Sequence, residues 1–209
     1  MLGKEERTKR LVDIFRRENA KINLGYQLRM QGAFTSFSIS SNKEYRAGGY
    51  HTTQYHELLA QEMQNTKAMA LKASMKVVVW PRRVYDNDFM KIRFQNLVSF
   101  LKDNQDFDRI RFVIGEYHPG SLYIFDRHIL VEGHKTSDQD TPGYHITTVT
   151  SHGPTIQLSI ASFDSYFRDQ WQQHATACGA DAETDAEKIR CYVVEQLMRM
   201  CNDQSTTFS

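Results

Sequence analysis

The sequence predicts an α/β fold, α+β in detail: a mixed β-sheet flanked by helices, with one further helix at the C-terminal end. Three observations carry this. Helical periodicities alternate with short β-branched runs along the chain. The run Lys76-Val-Val-Val-Trp80 is apolar enough for a strand buried on both faces. Two apolar runs flank the pair Asp126-Arg127, which predicts a hairpin and hence antiparallel pairing in the same sheet. A chain of 209 residues buries a comfortable core as one main domain.

The elements follow in order. Lys4 to Ala20 reads as a charged helix with a narrow stripe of Leu11, Ile14 and Phe15, ringed by Lys9, Arg10, Arg16 and Arg17. Leu28 to Ser40 alternates loosely through Met30, Phe34, Phe37 and Ile39 and predicts one or two strands. Asn42 to Gly49 is polar and predicts a loop. Thr53 to Ala73 is a helix with Tyr55, Leu58, Leu59, Met63, Met69 and Leu71 on its apolar face and four alanines supporting it. The strand Lys76–Trp80 ends at Pro81. Asp88 to Lys102 is helical, with Met90, Phe94, Leu97, Val98 and Leu101 at three- and four-residue spacing. Ile110–Ile114 is a strand, Leu122–Phe125 and Ile129–Val131 form the hairpin, His134–Gly143 is a polar loop, and Tyr144–Thr150 is a last strand. Thr155–Trp171 is amphipathic through Ile156, Ile160, Phe163, Phe167 and Trp171. His174–Asp181 is small and polar and reads as a linker. Thr184-Asp-Ala-Glu187 has the form of a capping box opening a final helix with Ile189, Val193, Leu197 and Met200 on one side. The division is a domain over 1–173, a linker over 174–183, and a C-terminal helix and tail over 184–209.

Composition excludes several classes. With 26 Lys and Arg against 25 Asp and Glu, the chain has no global basic field, and a nucleic-acid partner is disfavoured. No run approaches the roughly 18 apolar residues of a membrane span, and the charged start lacks the core of a signal peptide. Cys178, Cys191 and Cys201 cluster late without a C-x-x-C pair, as reduced thiols of a cytoplasmic protein do; no structural zinc is expected. No Gly-rich phosphate loop with a lysine and no dinucleotide fingerprint occurs, so no cofactor is predicted.

The order of elements resembles one half of the phospholipase D superfamily over roughly residues 5–173. The stretch Tyr117-His-Pro-Gly-Ser-Leu-Tyr-Ile-Phe-Asp-Arg-His-Ile-Leu-Val-Glu-Gly-His134 stands where that family carries H-x-K-x4-D-x6-G-S on a hairpin. With Asp126 as the motif aspartate, the histidine position falls on Pro119, the lysine position on Ser121 and the glycine on Gly133; the following serine is His134. His118 is one residue off, which in a strand turns the side chain to the other face. Family chemistry needs a histidine to attack phosphorus and a lysine to hold its oxygens. Ser121 does neither. The resemblance thus implies a non-catalytic phospholipase D-like domain acting by binding or regulation. Single-half members of the family pair with a second half, so it also implies a homodimer or a protein partner, and a phosphate-bearing ligand.

Ligands of open α/β sheets bind beyond the carboxyl ends of strands. Arg82 and Arg83 follow one such end and Glu116 and His118 another, so the expected binding cleft is Arg82, Arg83, Glu116, His118 and Ser121. The competing reading is a phosphodiesterase or nuclease. Gly49-Tyr-His-Thr-Thr53 and Gly143-Tyr-His-Ile-Thr147 each contain H-x-T, and paired H-x-T motifs mark two-histidine phosphoesterases, with His51 and His145 as base and acid. A rearranged set of His118, His134, Lys135 and Asp126 is the other catalytic candidate. There is no H-E-x-x-H, and no metal site is predicted.

Overall fold

A computed structural model describes residues 4–32, 53–80, 95–100, 102, 109–116, 120–135 and 145–202. The elements are α1 (Lys4–Asn19), β1 (Gln27–Gly32), α2 (Thr53–Ala70), β2 (Ser74–Val79), a helical stretch α3 (95–100), β3 (Ile110–Ile114), β4 (Gly120–Phe125), β5 (Ile129–Lys135), β6 (His145–Thr150), α4 (Gly153–Cys178) and α5 (Ala186–Asn202). The expected mixed sheet is present, with six strands in the order β3-β2-β1-β4-β5-β6. β1, β2 and β3 are parallel; β4, β5 and β6 form an antiparallel meander joined to β1. The parallel half follows from the crossover connections through helices, and the antiparallel half from the tight turn at Asp126, whose φ of 51° suits an aspartate.

Register sets the two faces. Leu28 stands opposite both Met75 and Phe125, and Met30 opposite Val77 and Tyr123. This apolar face receives α1: the Phe15 ring meets Tyr123 and Phe125 edge-on at 5.8 and 5.0 Å. α1 carries Glu5 and Glu6 in its first turn and Arg16 and Arg17 in its last, both favourable to the helix dipole, and packs against α2.

The other face carries a row of cations: Arg29 beside Lys76 beside Arg111. α4 covers them. Its aromatic ladder Phe163, Phe167 and Trp171 stacks at 6.1 Å steps, with Lys76 over Phe167 and Arg111 over Trp171. Asp164 of α4 clamps Arg29 through two bonds of 3.0 and 2.8 Å and takes a third from Lys76 at 2.8 Å.

The structure corrects the sequence reading near the C-terminal end. The expected linker 174–183 begins inside α4, which runs through Cys178; Ala175 continues the stripe of Phe163, Phe167 and Trp171 and is fully buried. The stop is Gly179 in the left-handed conformation, φ 65°. The capping box also does not form. Asp181 Oδ1 accepts from the backbone N–H of Glu183 and Thr184, and α5 starts after Asp185, whose carbonyl takes the first helical bond from Ile189. Ile189, Val193 and Leu197 of α5 join the same core as the sheet. β5 also extends to Lys135, two residues into the expected polar loop.

Candidate functional site at the carboxyl end of the sheet

The carboxyl ends of the three parallel strands and the start of β4 form one end of the sheet. There, on the face that α1 covers, Ser121 of β4 stands opposite Gly133 of β5, and Gly133 opposite Thr147 of β6. Directly opposed residues share a face, about 5 Å apart. Arg7 of α1 reaches down onto this row. Its Nη2 donates to Ser121 Oγ at 2.6 Å. A Cβ on Gly133 would stand 2.7 Å from that nitrogen and 2.7 Å from Ser121 Oγ, so glycine is what admits the guanidinium. Thr147 Oγ1, on the far side of Gly133, is shut off from solvent and has no hydrogen-bond partner among the described residues. No carboxylate among the described residues pairs with Arg7.

Next along β4 on the same face, the buried Tyr123 hydroxyl donates to Glu62 Oε1 at 3.1 Å. Burial, and then the Glu62 charge, push its pKa well above the ordinary tyrosine value; the charge of Arg7 acts in the opposite sense. At the end of β3 the Glu116 N–H donates to the Tyr166 hydroxyl at 2.9 Å, which fixes the strand end to α4. Chemically, a guanidinium beside two hydroxyls and a bare glycine backbone can hold an oxyanion. None of Arg7, Ser121, Gly133 and Thr147 offers an imidazole, thiol or amine nucleophile.

Of the expected cleft residues, Ser121 lies in this row, and Glu116 is exposed at the same end, three strand spacings away, roughly 14 Å. His145 opens β6 opposite Lys135, also at this end. Arg82, Arg83, His118 and His51 lie outside the described residues. Asp126 is a correction. It sits five residues beyond Ser121 along an extended strand, roughly 17 Å away at the opposite end of the sheet, so it cannot share a site with Ser121, His134 or Lys135.

Asp126 instead borders a second polar cluster. The Glu18 carboxylate is fully buried at the end of α1. It lies 2.6 Å from His128 Nε2 and accepts from Lys21 at 2.7 Å and the Tyr26 hydroxyl at 3.0 Å. Burial opposes its charge, but the bonds from Lys21, His128 and Tyr26 prevail and hold its pKa below the ordinary glutamate value. Asp126 Oδ2 lies 3.8 Å from His128 Nδ1. This cluster ties the β4–β5 turn to α1. No group of three or more His, Cys, Asp or Glu able to hold a metal occurs among the described residues. No described helix is long and apolar enough to cross a membrane.

Sequence reasoning missed Arg7 and reached Thr147 only through the H-x-T reading, as a phosphate-binding threonine. A signal for Arg7 was present: positions 7, 11, 14, 15 and 18 fall on one helical face, so the apolar stripe of α1 ends in a cation at one end and a carboxylate at the other. The H-x-T motif pointed to Thr147, but not to its place beside Gly133, which is set by pairing across β5 and β6. No family model matches the chain, and neither the curated proteins nor the solved structures contain a match to it.

Proposed function

We propose that the protein is a non-catalytic phospholipase D-like binding domain that holds a phosphate-bearing ligand where Arg7, Ser121 and Thr147 converge over Gly133. The observation that carries this is the Arg7–Ser121 bond across a glycine that leaves room for it. At the position where the family's hairpin carries lysine, this chain has a serine whose hydroxyl is bound to an arginine from α1. The positive charge that grips phosphate therefore arrives from a helix, while the hairpin supplies hydroxyls. Such a site favours an oxyanion by charge-assisted hydrogen bonds and offers no imidazole, thiol or amine to attack it or to activate its hydroxyls.

The test is calorimetric titration with inorganic phosphate, beside an assay of phosphodiester hydrolysis on bis(p-nitrophenyl) phosphate. Wild type binds phosphate and leaves the diester intact, and Arg7→Gln abolishes binding. Phosphate binding that survives Arg7→Gln refutes the site. Diester hydrolysis lost in both His51→Ala and His145→Ala refutes the non-catalytic reading and replaces it with a two-histidine phosphodiesterase.

A further inference from the structure

We infer that the amino end of the sheet docks on an anionic lipid surface, with Leu24 and Leu71 entering the interface between headgroups and acyl chains. Both leucines sit on connections that enter neighbouring strands. Leu24 stands three residues before Gln27 and Leu71 three before Ser74, and Gln27 and Ser74 are partners across β1 and β2. The Ser74 N–H donates to the Tyr26 carbonyl at 2.9 Å and ties the two connections side by side. Each connection buries one neighbour, Tyr26 or Ala73, and turns its leucine outward: Leu24 is fully exposed and Leu71 is 69% exposed. Gly25, next to Leu24, has φ 89° and nothing within 4 Å of the place a Cβ would take, so this tip stands clear of the body. Single exposed leucines are ordinary on a protein surface. Two on adjoining tips, ringed by cations, have the make-up of an interfacial anchor.

The charges on this rim match an anionic partner. Lys72 follows Leu71, Lys21 opens the connection to Leu24 and is 57% exposed, and Arg127 is exposed at the tip of the β4–β5 turn. That turn is held at the same end by the Asp126 N–H, which donates to the Gln27 carbonyl at 2.7 Å. Of the carboxylates described there, Glu18 is fully buried and Asp126 faces His128 Nδ1 at 3.8 Å. A bilayer suits such a face better than a protein does. Separate projecting side chains insert into a fluid interface wherever they fall, whereas a protein partner has to match them with pockets over about 800 Å². Lysine and arginine stems lie along the interface and keep their charge among the headgroups. Two leucines and three cations hold weakly, so association needs both contributions and is reversible. Docked this way, the Arg7–Ser121 row lies roughly 17 Å up the sheet, at the end away from the bilayer.

The inference is independent of the phosphate site, and the experiment separates them. The full chain is sedimented with sucrose-loaded vesicles of phosphatidylcholine alone and of phosphatidylcholine with about one third phosphatidylserine. Partitioning onto the anionic vesicles is expected to exceed that onto the neutral ones about tenfold or more, and to fall as salt rises. Leu24→Ser and Leu71→Ser are each expected to weaken it about tenfold, with circular dichroism unchanged because both side chains already stand in water. Lys72→Glu combined with Arg127→Glu is expected to abolish the preference for phosphatidylserine. Phosphate titration of the same variants is expected to match wild type. A chain that leaves both vesicles untouched, equal partitioning onto neutral and anionic vesicles, or partitioning indifferent to both leucine changes would each overturn the proposal. Vesicle binding lost in Arg7→Gln would overturn it as well, by showing that the phosphate site grips the headgroups.

Discussion

Replacing Asp164 by alanine tests how α4 is held on the sheet. The substitution leaves Arg29, whose side chain is only 7% exposed, with the neutral Gln27 Oε1 at 2.6 Å in place of a carboxylate, and releases Lys76, which is 36% exposed. Removing one partner of a fully buried pair costs about 3–5 kcal/mol, because the other charge is left uncompensated. Asp164 itself is 27% exposed, so water screens part of that loss, and the expected cost is about 2–3 kcal/mol. For a chain of this size that lowers Tm by about 5–10 °C. Urea unfolding read by linear extrapolation measures it. The double variant Arg29→Met with Asp164→Leu removes both charges and should recover most of the loss. The pH dependence has a definite sign. Burial opposes the charge of Asp164, but the bonds from Arg29 and Lys76 outweigh it and hold its pKa below the ordinary aspartate value. Its stabilisation is therefore complete above that ordinary value, near pH 4, and is lost as pH falls through the depressed one. A loss under ~1 kcal/mol for Asp164→Ala, or a double variant as unstable as the single one, would refute the reasoning.

Three further outcomes follow from the same geometry. Gly115→Ala places a Cβ 2.7 Å from both the Tyr166 hydroxyl and Val78 Cγ1, neither free to withdraw, and should cost about 1–3 kcal/mol by chemical denaturation. Gly133→Ala meets only the flexible end of Arg7 and the Ser121 hydroxyl, so stability should fall by less than about 1 kcal/mol while phosphate titration shows binding lost. Burial and the Glu18 charge raise the Tyr26 pKa, so Glu18→Gln should bring it back towards the ordinary tyrosine value in a spectrophotometric titration.

Much of the fold is legible in the chain because its signals are local. The buried run Val77–Trp80, the hairpin around Asp126 and the stripe of α4 each follow from spacing and burial alone. The end of α4 is not legible in the chain because small polar residues mask Ala175, which keeps the four-residue spacing, and because Gly179 is a stop signal that composition reads as linker. The site was legible only in half. Ser121 is reachable from the hairpin pattern, whereas its partner Arg7 is separated from it by 114 residues and meets it only through tertiary packing. The motif alignment brings Asp126 and Ser121 into one hairpin, and the candidate set joins Asp126 to His134 and Lys135, but an extended strand keeps them apart: five residues of strand span most of the height of the sheet.

The position of β1 at the centre of the sheet has a consequence for how the chain acquires its fold. β1 is flanked by β2 on one side and by β4 on the other, with Leu28 facing Phe125, so its second neighbour is made roughly 100 residues later. At ~5–20 residues per second of synthesis, that partner follows after roughly 5–20 s. Meanwhile β4, β5 and β6 can close as a local meander, whereas the centre of the sheet waits on its most distant contact. Contacts of such long sequence range slow folding, so docking of the meander on β1 is the step expected to set the rate, and until then one edge of β1 stands open in the nascent chain.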